Sequence, residues 1–164
     1  MTTINALSLP SFTKFLDDII QLRIDFNELG FMNRTPVSFN YLRFPPHLQV
    51  TILPDYIRSK YAKEIVEFVQ EWDEFNIKSE HAKFYLEEID QVKRFCDYMI
   101  KDTTSGPKYR ENFMQFIQHY DVRRKKDFVK TFPEYEEMYE EWQELYGDKL
   151  NSDLKDLIDI VEIT

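Results

Sequence analysis

Three scarcities limit what this 164-residue chain can be. Its single cysteine, Cys96, excludes an internal disulfide framework and any cysteine cluster site contained in this sequence. Its three glycines argue against a disordered or low-complexity chain. No run of about eighteen apolar residues occurs, and no basic segment leads into an apolar one near the start. We therefore expect a folded, cytoplasmic protein without a membrane partner.

Basic residues are also in the minority. Lysine and arginine number 21 against 30 aspartate and glutamate residues, which gives a formal net charge of -9. A polyanion would be repelled by most of such a surface, so we do not expect nucleic acid as a partner. The hydrophobic share of 43% and the aromatic share of 16% supply enough apolar material for one core.

Two stretches alternate in the manner of strands. Residues 2–9 mix β-branched and apolar types, and residues 37–44 place Val37, Phe39 and Tyr41 on one face. Residues 48–52 alternate up to Pro54 and suggest a short strand or an extended return. The sequence therefore predicts two or three strands.

The remainder shows apolar residues at spacings of three and four, which is typical of amphipathic helices. The fold class we expect is α/β, predominantly helical. Helices are predicted from Phe12 to Gly30, over 55–75, from Ser79 to Met99, over 109–120 and from Phe132 to Gly147. We expect one compact domain in three parts: a strand–helix–strand unit over 1–54, a helical extension over 55–147 and a terminal segment over 148–164 that is helical from Asn151.

The order of the elements raises a question about strand neighbours. A strand–helix–strand unit normally forms a parallel pair, and parallel sheets need further strands and covering layers. The first predicted strand begins at Thr2, with no room for a neighbour before it. Either another polypeptide supplies that neighbour, the chain is a fragment, or the two strands form a small sheet covered by helices.

Four stretches, taken in order, resemble the C-terminal portion of radical S-adenosylmethionine (SAM) proteins of the type that carries a shortened auxiliary domain, called twitch. The resemblance extends from the N-terminus to about Trp142. The stretches are Thr2-Thr-Ile-Asn-Ala-Leu-Ser-Leu-Pro-Ser11, Tyr41-Leu-Arg-Phe-Pro45 with Ile52-Leu-Pro54, Tyr120-Asp-Val-Arg-Arg124, and Thr131-Phe-Pro-Glu134.

This resemblance implies that the strands are the last ones of a partial (βα) barrel, followed by a C-terminal helical extension. In the family, a CxxxCxxC motif supplies three thiolates to an iron–sulfur cluster that binds SAM. The present sequence has no such spacing, so the chain alone should hold neither group. SAM and a cluster are expected only if a cysteine-bearing N-terminal half completes the protein. Self-association through strand edges is the other expected partnership.

The resemblance also implies a pocket at the carboxyl ends of the strands. Asn5 would bond a polar ligand group, Leu42 and Phe44 would flank an adenine, and Arg43 would hold a carboxylate. Each residue has an ordinary structural alternative: Asn5 as a turn former, Leu42 and Phe44 as core, and Arg43 in a surface ion pair. No catalytic residue and no metal ligand is predicted.

Other chemically capable residues are more simply explained by structure. His47, His81 and His119 lie too far apart for a recognised metal spacing. Cys96 lies on an apolar helical stripe, which predicts a small buried hydrophobe. The basic run over 123–126 is typical of a solvated helix end, although it could contact a phosphate.

Two functions from different classes follow. The first is the C-terminal part of a radical-SAM-like protein, not catalytically competent alone, that completes or binds a partner chain. The alternative is a stand-alone helical protein-interaction module with no catalytic role. The two differ most clearly on whether the strands near Asn5 and Asn40 leave an edge open.

Overall fold

A computed structural model describes residues 2–27, 36–75, 82–101 and 106–147. The chain divides into two compact units, Met1–Thr104 and Ser105–Thr164. The described part of the chain is predominantly helical with one two-stranded parallel sheet, so the expected helical character is confirmed. The predicted three-part division stays a prediction, and the predicted terminal helix lies outside the described residues. In the described part, no helix combines the length and apolarity that crossing a membrane requires.

The first unit opens with a parallel strand pair joined through a helix. Strand β1 is Thr2–Ile4, helix α1 is Phe12–Asn27 and strand β2 is Phe39–Tyr41. Thr2 is paired with Phe39, and Ile4 with Tyr41. Both strands are shorter than predicted. Strand β1 ends at Ile4 because the Asn5 side chain accepts hydrogen bonds from the Leu7 and Ser8 N–H groups and so forms a turn.

Residues 46–52 form two turns of 3-10 helix, Pro46–Leu48 and Val50–Ile52, so a strand here was the wrong prediction. Pro45 and Pro46 cannot donate to a ladder, and Leu48 bonds back to the Pro45 carbonyl instead. Val50, Thr51 and Ile52 are all buried. In a surface strand, by contrast, buried and exposed side chains would alternate.

Two helices complete the first unit. Helix α2 is Asp55–Phe75, as predicted, and helix α3 is Leu86–Lys101. Ser79, where this helix was predicted to begin, lies outside the described residues. At the start of α3 the Glu88 carboxylate accepts a hydrogen bond from the Tyr85 backbone N–H, which satisfies one of the donors exposed at a helix start.

One face of the sheet is covered by helices. The Phe12 ring of α1 meets the Phe39 ring edge-on with centroids 5.7 Å apart, and it meets Phe95 of α3 at 5.8 Å. Ile4 lies on the same face as Phe39 and is buried as well. Helices α1 and α3 therefore pack against the apolar face of the strands.

The second unit, as far as it is described, is helical. Helix α4 is Pro107–Arg124, α5 is the single turn Phe128–Thr131, and α6 covers residues 136–147 after a 3-10 turn at Pro133–Tyr135. Helix α5 was not predicted from the sequence. The polar segment before it contains the N-cap residue Asp127, whose carboxylate accepts the Lys130 N–H at 3.0 Å.

Aromatic rings fill the interior of the second unit. Phe113 meets Phe128 and Trp142 edge-on, with centroids 6.0 and 5.8 Å apart. Tyr135 and Met138 are fully buried beside them, whereas the glutamates of α6 face outward. The amphipathic helix predicted from Phe132 to Gly147 is therefore present over residues 136–147.

Candidate functional site

The predicted site residues lie where the two strands end. Asn5 directly follows β1, and Leu42 directly follows β2. The Leu42 N–H donates to the Ile4 carbonyl at 2.8 Å, so the two strand ends are neighbours. Arg43 and Phe44 continue from there. All four residues therefore lie at the carboxyl end of the parallel pair.

Asn5 serves the turn after β1. Its side-chain oxygen Oδ1 accepts the backbone N–H groups of Leu7 and Ser8 at 2.9 and 3.1 Å. Its own N–H donates to the Ser8 hydroxyl at 2.9 Å. Because an amide oxygen has two lone pairs, Oδ1 is fully used. Asn5 is thus a turn former, as the structural alternative predicted.

Arg43 is an oriented surface charge. Its guanidinium donates to the Tyr41 hydroxyl at 2.9 Å and lies over the Tyr41 ring at 5.2 Å from the centroid. That hydrogen bond raises the pKa of Arg43 above its usual value. Tyr41 in turn stacks on Tyr98 of α3, with centroids 4.1 Å apart. A stack of rings therefore positions the charge, and its partner is a phenol rather than the expected carboxylate.

Phe44 does not belong to the core. Its side chain is 79% exposed, and Leu42 is half-buried. The chain after Phe44 folds back, since the Gln49 side-chain amide donates to the Arg43 carbonyl. Phe44 thus presents an exposed ring, and the preceding residue Arg43 an exposed guanidinium, after the end of the sheet. This pair can contact a flat ring and an anion.

The face of the sheet away from the helices is open and polar. Thr3 of β1 and Asn40 of β2 are register partners on this face, and both are exposed. Ser38, just before β2, is exposed too. Parallel strands are nearly always covered on both faces. An uncovered parallel pair is therefore the unusual feature of this unit.

The outer edge of β2 is closed by side chains of α3. The Val37 N–H donates to Glu88 at 2.8 Å, and the Phe39 N–H donates to Gln91 at 2.7 Å. Glu88 is buried and also pairs with the buried guanidinium of Arg23 at 2.6 Å. A third strand cannot pair at this edge without displacing these side chains.

Arg23, Glu88 and Gln91 were not predicted from the sequence. A signal existed for Arg23, because it follows Ile19 and Ile20 at helical spacing on the buried side of α1. A charged residue on an apolar stripe indicates a buried partner. Nothing in the sequence identified that partner, which lies 65 residues further along the chain.

The outer edge of β1 is different. Thr2 bonds to the Ser38 carbonyl and Ile4 accepts from Leu42, so both face β2. Successive residues of a strand point their backbone groups to opposite sides, so Thr3 faces the other edge. Asn5, the next residue facing that way, is closed by Ser8. Thr3 is the open edge position of β1 within residues 2–5.

The residues present do not fit an iron–sulfur cluster. Cys96 is buried, and burial raises the pKa of its thiol to about 12, whereas cluster ligation requires a thiolate. Cys96 is confirmed as a small buried hydrophobe. Across the four described ranges, no group of three histidine, cysteine, aspartate or glutamate side chains could hold a metal ion. Burial also lowers the pKa of His47, and His81 lies outside those ranges.

Comparisons with known protein families, with curated proteins and with solved structures give no match to this chain.

Proposed function

We propose that this chain is the C-terminal part of a radical-SAM-like protein, which completes a partial (βα) barrel together with a cysteine-bearing partner segment. It is not catalytically competent alone. One observation carries the proposal: a parallel strand pair has helices on one face, whereas its other face is polar and exposed.

The two faces of the pair match the two sides of a barrel wall. In a (βα) barrel the helices cover the outside of the strands, and the other strand face points to the interior. Here Phe39 faces the helices, and Thr3 and Asn40 occupy the opposite face. The open face would then line the interior of the completed barrel.

The two edges of the pair also suit different neighbours. Glu88 and Gln91 close β2, which fits the last strand of a partial barrel, where the following helices take the place of a further strand. Thr3 leaves β1 open, which fits a strand that pairs with a preceding one. The partner segment would therefore add at β1.

The carboxyl ends of the strands would face the bound SAM. Phe44 and Leu42 would flank the adenine, and Arg43, already held by Tyr41, would take the carboxylate. Asn5 would contribute the turn that shapes the end of β1 rather than a side-chain oxygen. The thiolate ligands of the cluster, which supplies the electron for SAM cleavage, must come from the partner segment.

The test is anaerobic size-exclusion chromatography with light scattering, after the chain is mixed with SAM and with any cysteine-bearing polypeptide that a neighbouring gene encodes. A brown complex of defined stoichiometry is expected. Thr3→Pro removes the N–H at the open edge and leaves the bonds toward β2 intact, so it should abolish the complex. Thr3→Val keeps that N–H and should preserve it.

A second function is favoured by the closed edge of β2. Because Glu88 and Gln91 satisfy the strand donors from within the unit, that edge needs no other chain. This supports a stand-alone protein-interaction module. Such a module would remain a colourless monomer in the same experiment, with no response to SAM and no difference between Thr3→Pro and Thr3→Val.

A further inference from the structure

A cavity on helix α4 lies outside the site at the strand ends. It has a volume of about 310 Å³ and opens at the surface of the second unit. Its walls are two aromatic rings, one imidazole and two guanidinium groups, contributed by Phe116, His119, Tyr120, Arg123 and Arg124. This composition differs from the apolar face of α4 that builds the core.

The two faces of α4 follow from helical spacing. Phe113 and Ile117 are four positions apart and buried. Phe116, Tyr120 and Arg124 also follow one another at intervals of four, so they form a row on a neighbouring face of the helix. Tyr120 is 49% exposed, and its ring lies 6.3 Å from that of Phe116. Ring surface thus remains accessible beside the basic groups.

The charges in this cavity are not neutralised by the described residues. Arg123 and Arg124 are exposed and form no ion pair within residues 106–147, and none of the carboxylates in that range lines the cavity. The neighbouring Asp121 carboxylate instead accepts the Phe128 N–H at 2.9 Å. By contrast, the buried Arg23 has the Glu88 carboxylate.

We propose that this cavity binds a small ligand that combines a phosphate group with a planar ring, of the nucleoside phosphate class. The guanidinium groups of Arg123 and Arg124 would take the phosphate oxygens in bidentate fashion. The ring would stack on Tyr120. A volume near 300 Å³ suits a small ligand, and the net charge of -9 opposes a long polyanion.

Arg123 and Arg124 also lie in the last turn of α4, where positive charge offsets the carbonyl end of the helix. The neighbouring Lys125 and Lys126 carry the same charge but do not line the cavity. The four residues therefore offer a matched pair of variants, each removing two positive charges from adjacent positions.

The proposal is tested by isothermal titration calorimetry of the full chain with ADP at low salt. Saturable binding of one ADP per chain is expected. The variant Arg123→Gln with Arg124→Gln should weaken it at least tenfold. The variant Lys125→Asn with Lys126→Gln should stay within about twofold, since asparagine suits the left-handed conformation of Lys125.

Two further titrations separate the phosphate from the ring. Pyrophosphate should bind more weakly than ADP and lose its binding in the arginine variant. Tyr120→Leu should weaken ADP binding several-fold and leave pyrophosphate binding unchanged. Circular dichroism melting of every variant confirms that these exposed substitutions leave the fold intact.

Absence of saturable ADP binding by the unaltered chain would overturn the proposal. An equal loss in the arginine and lysine variants would overturn it as well, because it would show diffuse attraction to a basic helix end. These outcomes are independent of the proposed function, since the cavity lies apart from Leu42, Arg43 and Phe44 in the sequence and in a different unit.

Discussion

The two units of this chain are stabilised in different ways. In the first unit, polar side chains connect distant segments: the buried Arg23 and Glu88 and the half-buried Gln91 join α1, α3 and the edge of β2. In the second unit, packed aromatic rings connect the segments, as in the edge-on contact of Phe113 with Trp142. Both units have apolar cores, but among the described residues only the first unit contains a fully buried ion pair, Arg23 with Glu88.

The difference follows from the strands. A helix satisfies its own backbone groups, so helices can be joined by apolar side chains alone. A two-stranded sheet leaves a row of unpaired N–H groups along each outer edge, and burying such groups unpaired costs free energy. In the first unit, Glu88 and Gln91 accept hydrogen bonds from the outer edge of β2, whereas Thr3 of β1 is left open.

The largest effect is expected from Glu88→Ala. It leaves the buried Arg23 unpaired and removes the acceptor of the Val37 and Tyr85 N–H groups. Loss of one partner of a buried pair should lower the free energy of unfolding by about 3–5 kcal/mol. Urea unfolding followed by circular dichroism measures this. The exposed neighbour gives the control: Glu87→Ala should change stability by less than about 0.5 kcal/mol.

A smaller loss is expected from Phe128→Leu in the second unit. The Phe128 ring lies within 5.2 to 6.3 Å of four other rings, so the shorter side chain loses several aromatic contacts while it keeps most of its apolar volume. We expect about 2 kcal/mol from the same urea experiment. Leu145→Ala, at a 64% exposed position of α6, should be nearly neutral. Equal losses would show that ring packing is not what stabilises this unit.

Gln91→Ala tests a single edge contact. The Phe39 N–H would lose its acceptor, and we expect a loss of about 1–2 kcal/mol. Gln91→Glu keeps an acceptor at the same position and should retain most of the stability that Gln91→Ala loses. If the alanine variant is as stable as the unaltered chain, side chains of α3 do not close the edge of β2.

The smallest effect on stability at neutral pH is expected from the ionisation of Cys96. Burial raises its thiol pKa from about 9 to about 12, so the folded chain should resist alkylation at pH 8 and react fully in urea. The folded state holds this proton more tightly, so the contribution to stability is complete below pH 9 and falls as the pH rises toward 12. Rapid alkylation of the folded chain would contradict the burial of Cys96.

Local periodicity predicted most elements correctly. Helices α1 and α2 have long apolar stripes, and both lie where those stripes indicate. Residues 48–52 were misassigned because alternation over five residues also fits consecutive turns whose side chains are all buried. The single turn α5 was missed because a four-residue helix is too short to show a period.

The candidate site was only partly predictable. The strand–helix–strand order predicted the parallel pairing, but the strand pattern over 2–9 and 37–44 extended past Asn5 and Leu42, where the two strands have already ended. The exposure of Phe44 and the closed edge of β2 depend on tertiary contacts. The Gln91 contact with Phe39 joins residues 52 positions apart, which no local pattern reports.

The difference between the two strand edges is measured most directly by amide hydrogen exchange. In the isolated chain the Thr3 amide should exchange fast and the Phe39 amide slowly. On addition of the cysteine-bearing partner polypeptide, the Thr3 amide should become protected. A Thr3 amide that still exchanges fast in the mixture would contradict completion of the sheet at β1.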